Sequence, residues 1–92
     1  MIRSVRILIR GRVQGVGFRR AAQRRALSLG VTGWVRNLGD GSVEVLAIGP
    51  ETPVNALLRW CSSGSERALV TTVEAVNEAP QHFDSFEIRY ES

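Results

Sequence analysis

Val5-Arg6-Ile7-Leu8-Ile9-Arg10-Gly11 is followed, after a short glycine-bearing connection, by Phe18-Arg19-Arg20-Ala21-Ala22-Gln23-Arg24-Arg25-Ala26-Leu27-Ser28-Leu29-Gly30. Between the two stretches the apolar period changes from that of a strand to that of a helix. Val5, Ile7 and Ile9 lie on one side of an extended chain, with Arg6 and Arg10 on the other, so the first stretch is a strand with one covered face that ends at Gly11. Phe18, Ala22, Ala26 and Leu29 recur at helical spacing, with arginines between them and Gly30 placed to stop the helix as its C′ residue. A strand feeding a basic amphipathic helix is the unit from which the rest of the chain is read.

Working outward, residues 31–37 and 42–48 read as two strands joined through Leu38-Gly39-Asp40-Gly41, a cluster that closes hairpins, so their pairing is antiparallel. Gly49-Pro50 breaks the pattern. Thr52 is then expected as an N-cap with Pro53 at the first helical position, and Val54, Leu57, Leu58 and Cys61 form the stripe of a second helix ended by Gly64. Residues 69–76, rich in Val and Thr, and the alternating residues 86–90 supply two more strands. The order β-α-β-β-α-β-β predicts an α+β, ferredoxin-like sandwich, an antiparallel sheet with both helices on one face, over one domain spanning residues 1–92. In that topology the first two strands run parallel with the third between them. The loop after the first strand and Asn37 at the end of the second are therefore expected at the same edge of the sheet.

With 92 residues and 43% hydrophobic composition, one core is expected. The single cysteine, Cys61, cannot make an internal disulfide, which suits a reducing compartment, and neither a membrane span nor a signal-peptide core is legible; the expected setting is cytoplasmic. The net charge of +3 hides an asymmetry. Residues 1–39 hold nine arginines and no acid, whereas residues 40–92 hold three arginines and nine acids. Such a basic half draws in anions, and charge alone does not choose between a phosphorylated metabolite and nucleic acid. No lysine is present, which excludes Schiff-base chemistry.

The connection Gly11-Arg12-Val13-Gln14-Gly15-Val16-Gly17 can curl, because glycines let backbone N–H groups converge, and the helix that follows adds unpaired donors and the positive end of its dipole. A glycine-bearing turn of this kind is by itself more often structural than functional; read functionally, it is an anion site rather than a nucleotide fingerprint, since no Gly-Lys-Ser/Thr closes it and Arg20 stands where a third dinucleotide-binding glycine belongs. Arg19, in the first helical turn, opposes the dipole, and a bound dianion supplies its reason for being there. Arg20, Arg24 and Arg25 read as surface arginines. Asn37 is by itself an ordinary turn residue that only the topology makes more.

Gly11-Arg12-Val13-Gln14-Gly15-Val16-Gly17-Phe18-Arg19, with Gly33-Trp34-Val35-Arg36-Asn37 and Asp40-Gly41-Ser42-Val43-Glu44, resembles the acylphosphatase signature, and the resemblance extends to Phe86-Glu87-Ile88. It departs from the family's usual pattern at Arg20-Ala21, where an aromatic is common, and at Gly64-Ser65, where Gly-Pro is. The resemblance implies a ferredoxin-like enzyme that hydrolyses the carboxyl–phosphate bond of acyl phosphates. The amides of Gln14, Gly15, Val16, Gly17 and Phe18 then bind phosphate, Arg19 clamps it, and Asn37 orients water. No metal or other cofactor is implied. The expected partner is a small-molecule acyl phosphate, with no nucleic acid or membrane partner and a monomeric state. Such chemistry needs few groups, because a leaving carboxylate, whose conjugate acid has a pKa near ~4, departs unprotonated.

The other candidates read as structure. His82 has no cysteine or second histidine near it with which to hold a metal, Cys61 lies on an apolar stripe, Trp34 and Trp60 pack, and nothing raises a pKa at Asp40 or Glu44 for paired-carboxylate catalysis. An RNA-recognition module shares the element order, but the first and third strands carry no aromatic on which a base could stack. A phosphate-binding domain without turnover is the other rival, and the joint presence of Arg19 and Asn37 argues against it.

Overall fold

A computed structural model of the chain describes residues 1–90. The elements follow the expected order: β1 (Ile2–Arg12), α1 (Phe18–Leu29), β2 (Thr32–Asn37), β3 (Val43–Pro50), α2 (Glu51–Cys61), β4 (Leu69–Asn77) and β5 (Phe86–Arg89). They build one sheet in the order β4-β1-β3-β2-β5. Because β3 is antiparallel to both β1 and β2, those two run parallel and finish at the same edge.

The sheet is mixed rather than antiparallel throughout. β5 pairs in parallel with β2, Gly33 opposite Phe86 and Val35 opposite Ile88. The cause is a crossing from one edge strand to the other: the connection from β4 carries Phe83 onto the second face of the sheet, where it packs against Trp34, Leu46 and Ile48. A connection of that length permits a parallel pairing that a tight hairpin forbids.

Several boundaries also differ from the sequence pattern: β3 runs on through Gly49 and Pro50, which pair with Arg3 and Ile2 of a β1 that starts before Val5, instead of breaking at them. β1 continues through Arg12, because an irregularity between Arg10 and Gly11 shifts its register against β4 instead of ending the strand. α2 begins at Glu51, with Pro50 rather than Thr52 as the preceding cap residue. The Glu51 N–H, an orphan donor of the first turn, is satisfied by the Met1 carbonyl at 3.0 Å, so a tertiary contact replaces the side-chain cap. Pro53 falls at the third helical position, where its missing N–H is still no loss. Gly30 closes α1 as expected, its turn bringing the Val31 N–H to the Ala26 carbonyl at 3.0 Å.

The helices cover one face. Val5, Ile7, Ile9, Val35, Val43 and Val45 are buried beneath Phe18, Ala22 and Ala26 of α1 and Val54, Leu57 and Cys61 of α2. Phe18 contacts Trp60 at 5.3 Å between ring centroids, so the first residue of α1 is anchored to α2. Each such buried side chain contributes ~1.5–3 kcal/mol of transfer free energy, which fixes where α1 begins and hence where the loop before it must turn. The opposite face is covered by its own side chains. The guanidinium groups of Arg36 and Arg89 lie 4.9 and 5.0 Å from the Trp34 ring centroid, and Arg6 and Arg36 both pair with Glu44.

Cys61 is fully buried, and burial pushes its thiol up to about 12. The thiolate is the reactive form, so the folded protein is expected to resist a disulfide reagent such as Ellman's at pH 8 and to react stoichiometrically once unfolded in guanidinium. Prompt labelling of the native protein would contradict this packing.

Candidate active site

The parallel ends of β1 and β2 dictate where the functional side chains meet. The loop after β1 and Asn37 at the end of β2 line one cleft of about 250 Å³, together with Gly15, Gly17, Phe18 and Arg19. The guanidinium and the carboxamide expected from sequence are thus brought to a common space. Gly15 and Gly17 both take left-handed backbone, with φ of 73° and 76°, which is what folds the loop back in front of α1. None of the backbone N–H groups from Gln14 to Arg19 donates to a protein acceptor among the described residues. A run of unpaired donors at a helix start, next to a cation, has the chemistry to receive an anion.

Gln14 and Val16 do not line the cleft with their side chains. The Gln14 Nε2 donates to the carbonyls of Leu38 and Ser42 at 2.8 and 2.9 Å, tying the loop to the β2–β3 hairpin, while Val16 turns into the core. A further tie comes from Ser65, whose hydroxyl donates to the Val16 carbonyl at 2.9 Å. Ser65 stands in the Gly64-Ser65 departure from the usual family pattern, and the bond shows that this sequence still braces the loop from the exit of α2.

Arg19 and Asn37 each lack the partner that an ordinary structural role would provide. Arg19 makes no ion pair among the described residues; its guanidinium lies over the Tyr90 ring at 4.9 Å. The Asn37 Oδ1 is buried without a hydrogen-bond partner. Orphan acceptors of that kind are uncommon and mark strain, function or a site for water. Nor does the turn need the Asn37 side chain. The Leu38 N–H bonds the Ser42 carbonyl at 2.9 Å, and both the N–H and the hydroxyl of Ser42 donate to Asp40 Oδ1. Those bonds from Ser42 hold the Asp40 carboxyl below its ordinary value, so it is ionised near neutrality and unsuited to act as an acid.

Tyr90, Ile88 and Arg20 also line the cleft, and the sequence pattern did not place them there. The first two arrive because β5 runs parallel to β2, a pairing with no short-range signal. Arg20 is exposed, as a surface arginine should be, yet it stands at the mouth of the site. His82 is exposed and pairs with Asp84 at 2.9 Å, and no group of three His, Cys, Asp or Glu able to hold a metal occurs among the described residues. Among the described residues no helix is long and apolar enough to cross a membrane.

The acylphosphatase family model matches residues 5–88. The chain belongs to the acylphosphatase family. An acylphosphatase from a Synechococcus strain is 51% identical over 85 residues, covering 92% of this chain and 90% of the relative. One from Haloarcula marismortui is 49% identical over 84 residues, covering 91% and 92%. The crystal structure of acylphosphatase from Bacillus subtilis superposes with a TM-score of 0.92 at 37% identity, over 98% of this chain and all of that one. The chain is accordingly a hydrolase acting on acyl phosphates, and every residue lining the cleft except Tyr90 lies within the matched region.

Proposed function

We propose that this cleft hydrolyses acyl phosphates without a metal, by holding the phosphoryl group on backbone amides and Arg19 while Asn37 places the attacking water. The observation that carries the reading is the coincidence of unpaired groups on residues that line one cleft: the N–H groups of Gly15, Gly17, Phe18 and Arg19, and the buried Asn37 Oδ1, beside the Arg19 side chain. The amides of Gln14, Gly15, Val16, Gly17 and Phe18 with Arg19 take the equatorial oxygens, where charge is spread in phosphoryl transfer. Water held by Asn37 attacks phosphorus opposite the leaving oxygen. The phosphorus–oxygen bond to the acyl group breaks, and the carboxylate leaves unprotonated because its conjugate acid is strong at neutral pH. The proton of the attacking water passes to a phosphoryl oxygen, so no protein base is required.

Every group in this scheme comes from one chain, which supports a monomer acting on a small-molecule acyl phosphate, and the single, free Cys61 suits a reducing cytoplasmic setting. The test is benzoyl phosphate hydrolysis with and without a strong chelator. Equal rates are expected, together with competitive inhibition by inorganic phosphate. A rate lost on chelation and restored by a divalent cation would overturn the metal-free scheme.

A further inference from the structure

The two ends of the peptide that joins Val16 to Gly17 are treated differently by the fold. Its carbonyl accepts from the Ser65 hydroxyl at 2.9 Å, the only hydrogen bond to that oxygen among the described residues. Its N–H, on Gly17, has no protein acceptor among them. A planar trans peptide points its C=O and its N–H in opposite directions. With the carbonyl drawn to Ser65 at the exit of α2, the Gly17 N–H faces away from that exit, and Gly17 lines the cleft, which Ser65 does not.

Little else holds the peptide that way round. Turning it over needs changes only in ψ of Val16 and φ of Gly17, and glycine accepts either sign of φ. The buried Val16 side chain anchors its own Cα without fixing the plane of the peptide that follows. Ser65, by contrast, stands on a rigid support. The Gly64 N–H donates to the Trp60 carbonyl at 2.8 Å, and the Ala68 N–H donates to the Ser65 carbonyl at 3.0 Å. The Phe18 ring comes so near that a Cβ on Gly64 would stand 2.6 Å from Phe18 Cε2, and the same ring packs on Trp60. The exit of α2 and the start of α1 are thereby locked together, and the Ser65 hydroxyl reaches from that lock to the loop.

We propose that Ser65 is a positioning residue for the phosphoryl site: by fixing the Val16–Gly17 peptide it aims the Gly17 N–H at the bound oxygens, without touching the substrate itself. The inference rests on the catalytic reading above. It assigns Ser65 to the capture of the anion rather than to the placement of water, which that reading gives to Asn37. Without the hydroxyl the Val16 carbonyl loses its partner and the peptide samples both orientations, only one of which serves the anion.

The experiment compares wild type, Ser65→Ala and Ser65→Thr by benzoyl phosphate kinetics, inhibition by inorganic phosphate and thermal melting. In Ser65→Ala the inhibition constant for phosphate should rise about three- to tenfold, the range set by one neutral hydrogen bond. KM should rise with it while kcat changes less than about twofold, since the lost interaction serves ground state and transition state alike. Ser65→Thr keeps the hydroxyl and should hold both constants within about twofold of wild type. A purely structural brace would lower the melting temperature and leave the phosphate constant where it was, and that result would sink the assignment. So would a loss of phosphate affinity that Ser65→Thr shares in full, because the site would then be answering to any change at residue 65 rather than to the hydroxyl. Failure of the catalytic reading shows instead in the wild type, as absent turnover or turnover that inorganic phosphate does not inhibit.

Discussion

Replacing Arg19 with alanine should lower kcat/KM for benzoyl phosphate by at least about 10³-fold, since loss of one preorganised donor to a developing oxyanion costs ~3–4 kcal/mol and Arg19 contributes a full charge as well. The fold should not suffer. Arg19 forms no ion pair among the described residues, and as a cation in the first turn of α1 it opposes the helix dipole. Its removal relieves that opposition, by ~0.3–1 kcal/mol, and loses the contact with Tyr90, worth ~0.5–1 kcal/mol, so the melting temperature should stay nearly unchanged. Arg19→Lys is expected to recover only part of the rate, because an ammonium keeps the charge and loses the fork that binds two oxygens together. Steady-state kinetics beside a thermal melt separates the possibilities. An Arg19→Ala enzyme within tenfold of wild type would mean that the loop amides suffice and that the guanidinium lies over Tyr90 for another reason.

The parts of this site that the sequence revealed are those governed by local period and by topology. Val5, Ile7 and Ile9 declare a strand, Phe18, Ala22 and Ala26 a helix, and the order of elements then makes the loop after β1 a neighbour of Asn37, although nothing local to Asn37 distinguishes it from a turn residue. The parts it hid depend on tertiary contacts. Thr52-Pro53 carries the marks of a helix start, but the Met1 carbonyl meets the Glu51 N–H and the helix begins earlier. Gln14 sits in the glycine-bearing loop and spends its side chain on the hairpin. β5 could have paired at either edge of the sheet in either direction. Its parallel pairing with β2 brings Ile88 and Tyr90 to the cleft. Function and fold are therefore legible from the loop and the helix, whereas the part of the cleft lining that comes with β5 is not.

Asn37→Ala separates the two explanations of that residue. A turn-forming asparagine would be missed as stability, a water-positioning one as rate. The hairpin bonds run through Leu38, Asp40, Ser42 and Gln14, and the Asn37 Oδ1 is a buried acceptor without a partner. Leaving such an acceptor unsatisfied costs ~1–3 kcal/mol, so the alanine variant should be as stable as wild type or more so. Its kcat should nevertheless fall by about 10²–10³-fold, the range for losing one positioned hydrogen-bonding group. KM should change little, because water placement acts in the transition state and phosphate capture belongs to the amides and Arg19. Inorganic phosphate should inhibit the variant with its wild-type affinity. An enzyme that kept its rate but melted earlier would assign Asn37 to the turn and leave the attacking water without a protein partner. A loss of rate with no loss of stability or phosphate affinity identifies the carboxamide as the group that converts a bound phosphoryl site into a hydrolytic one.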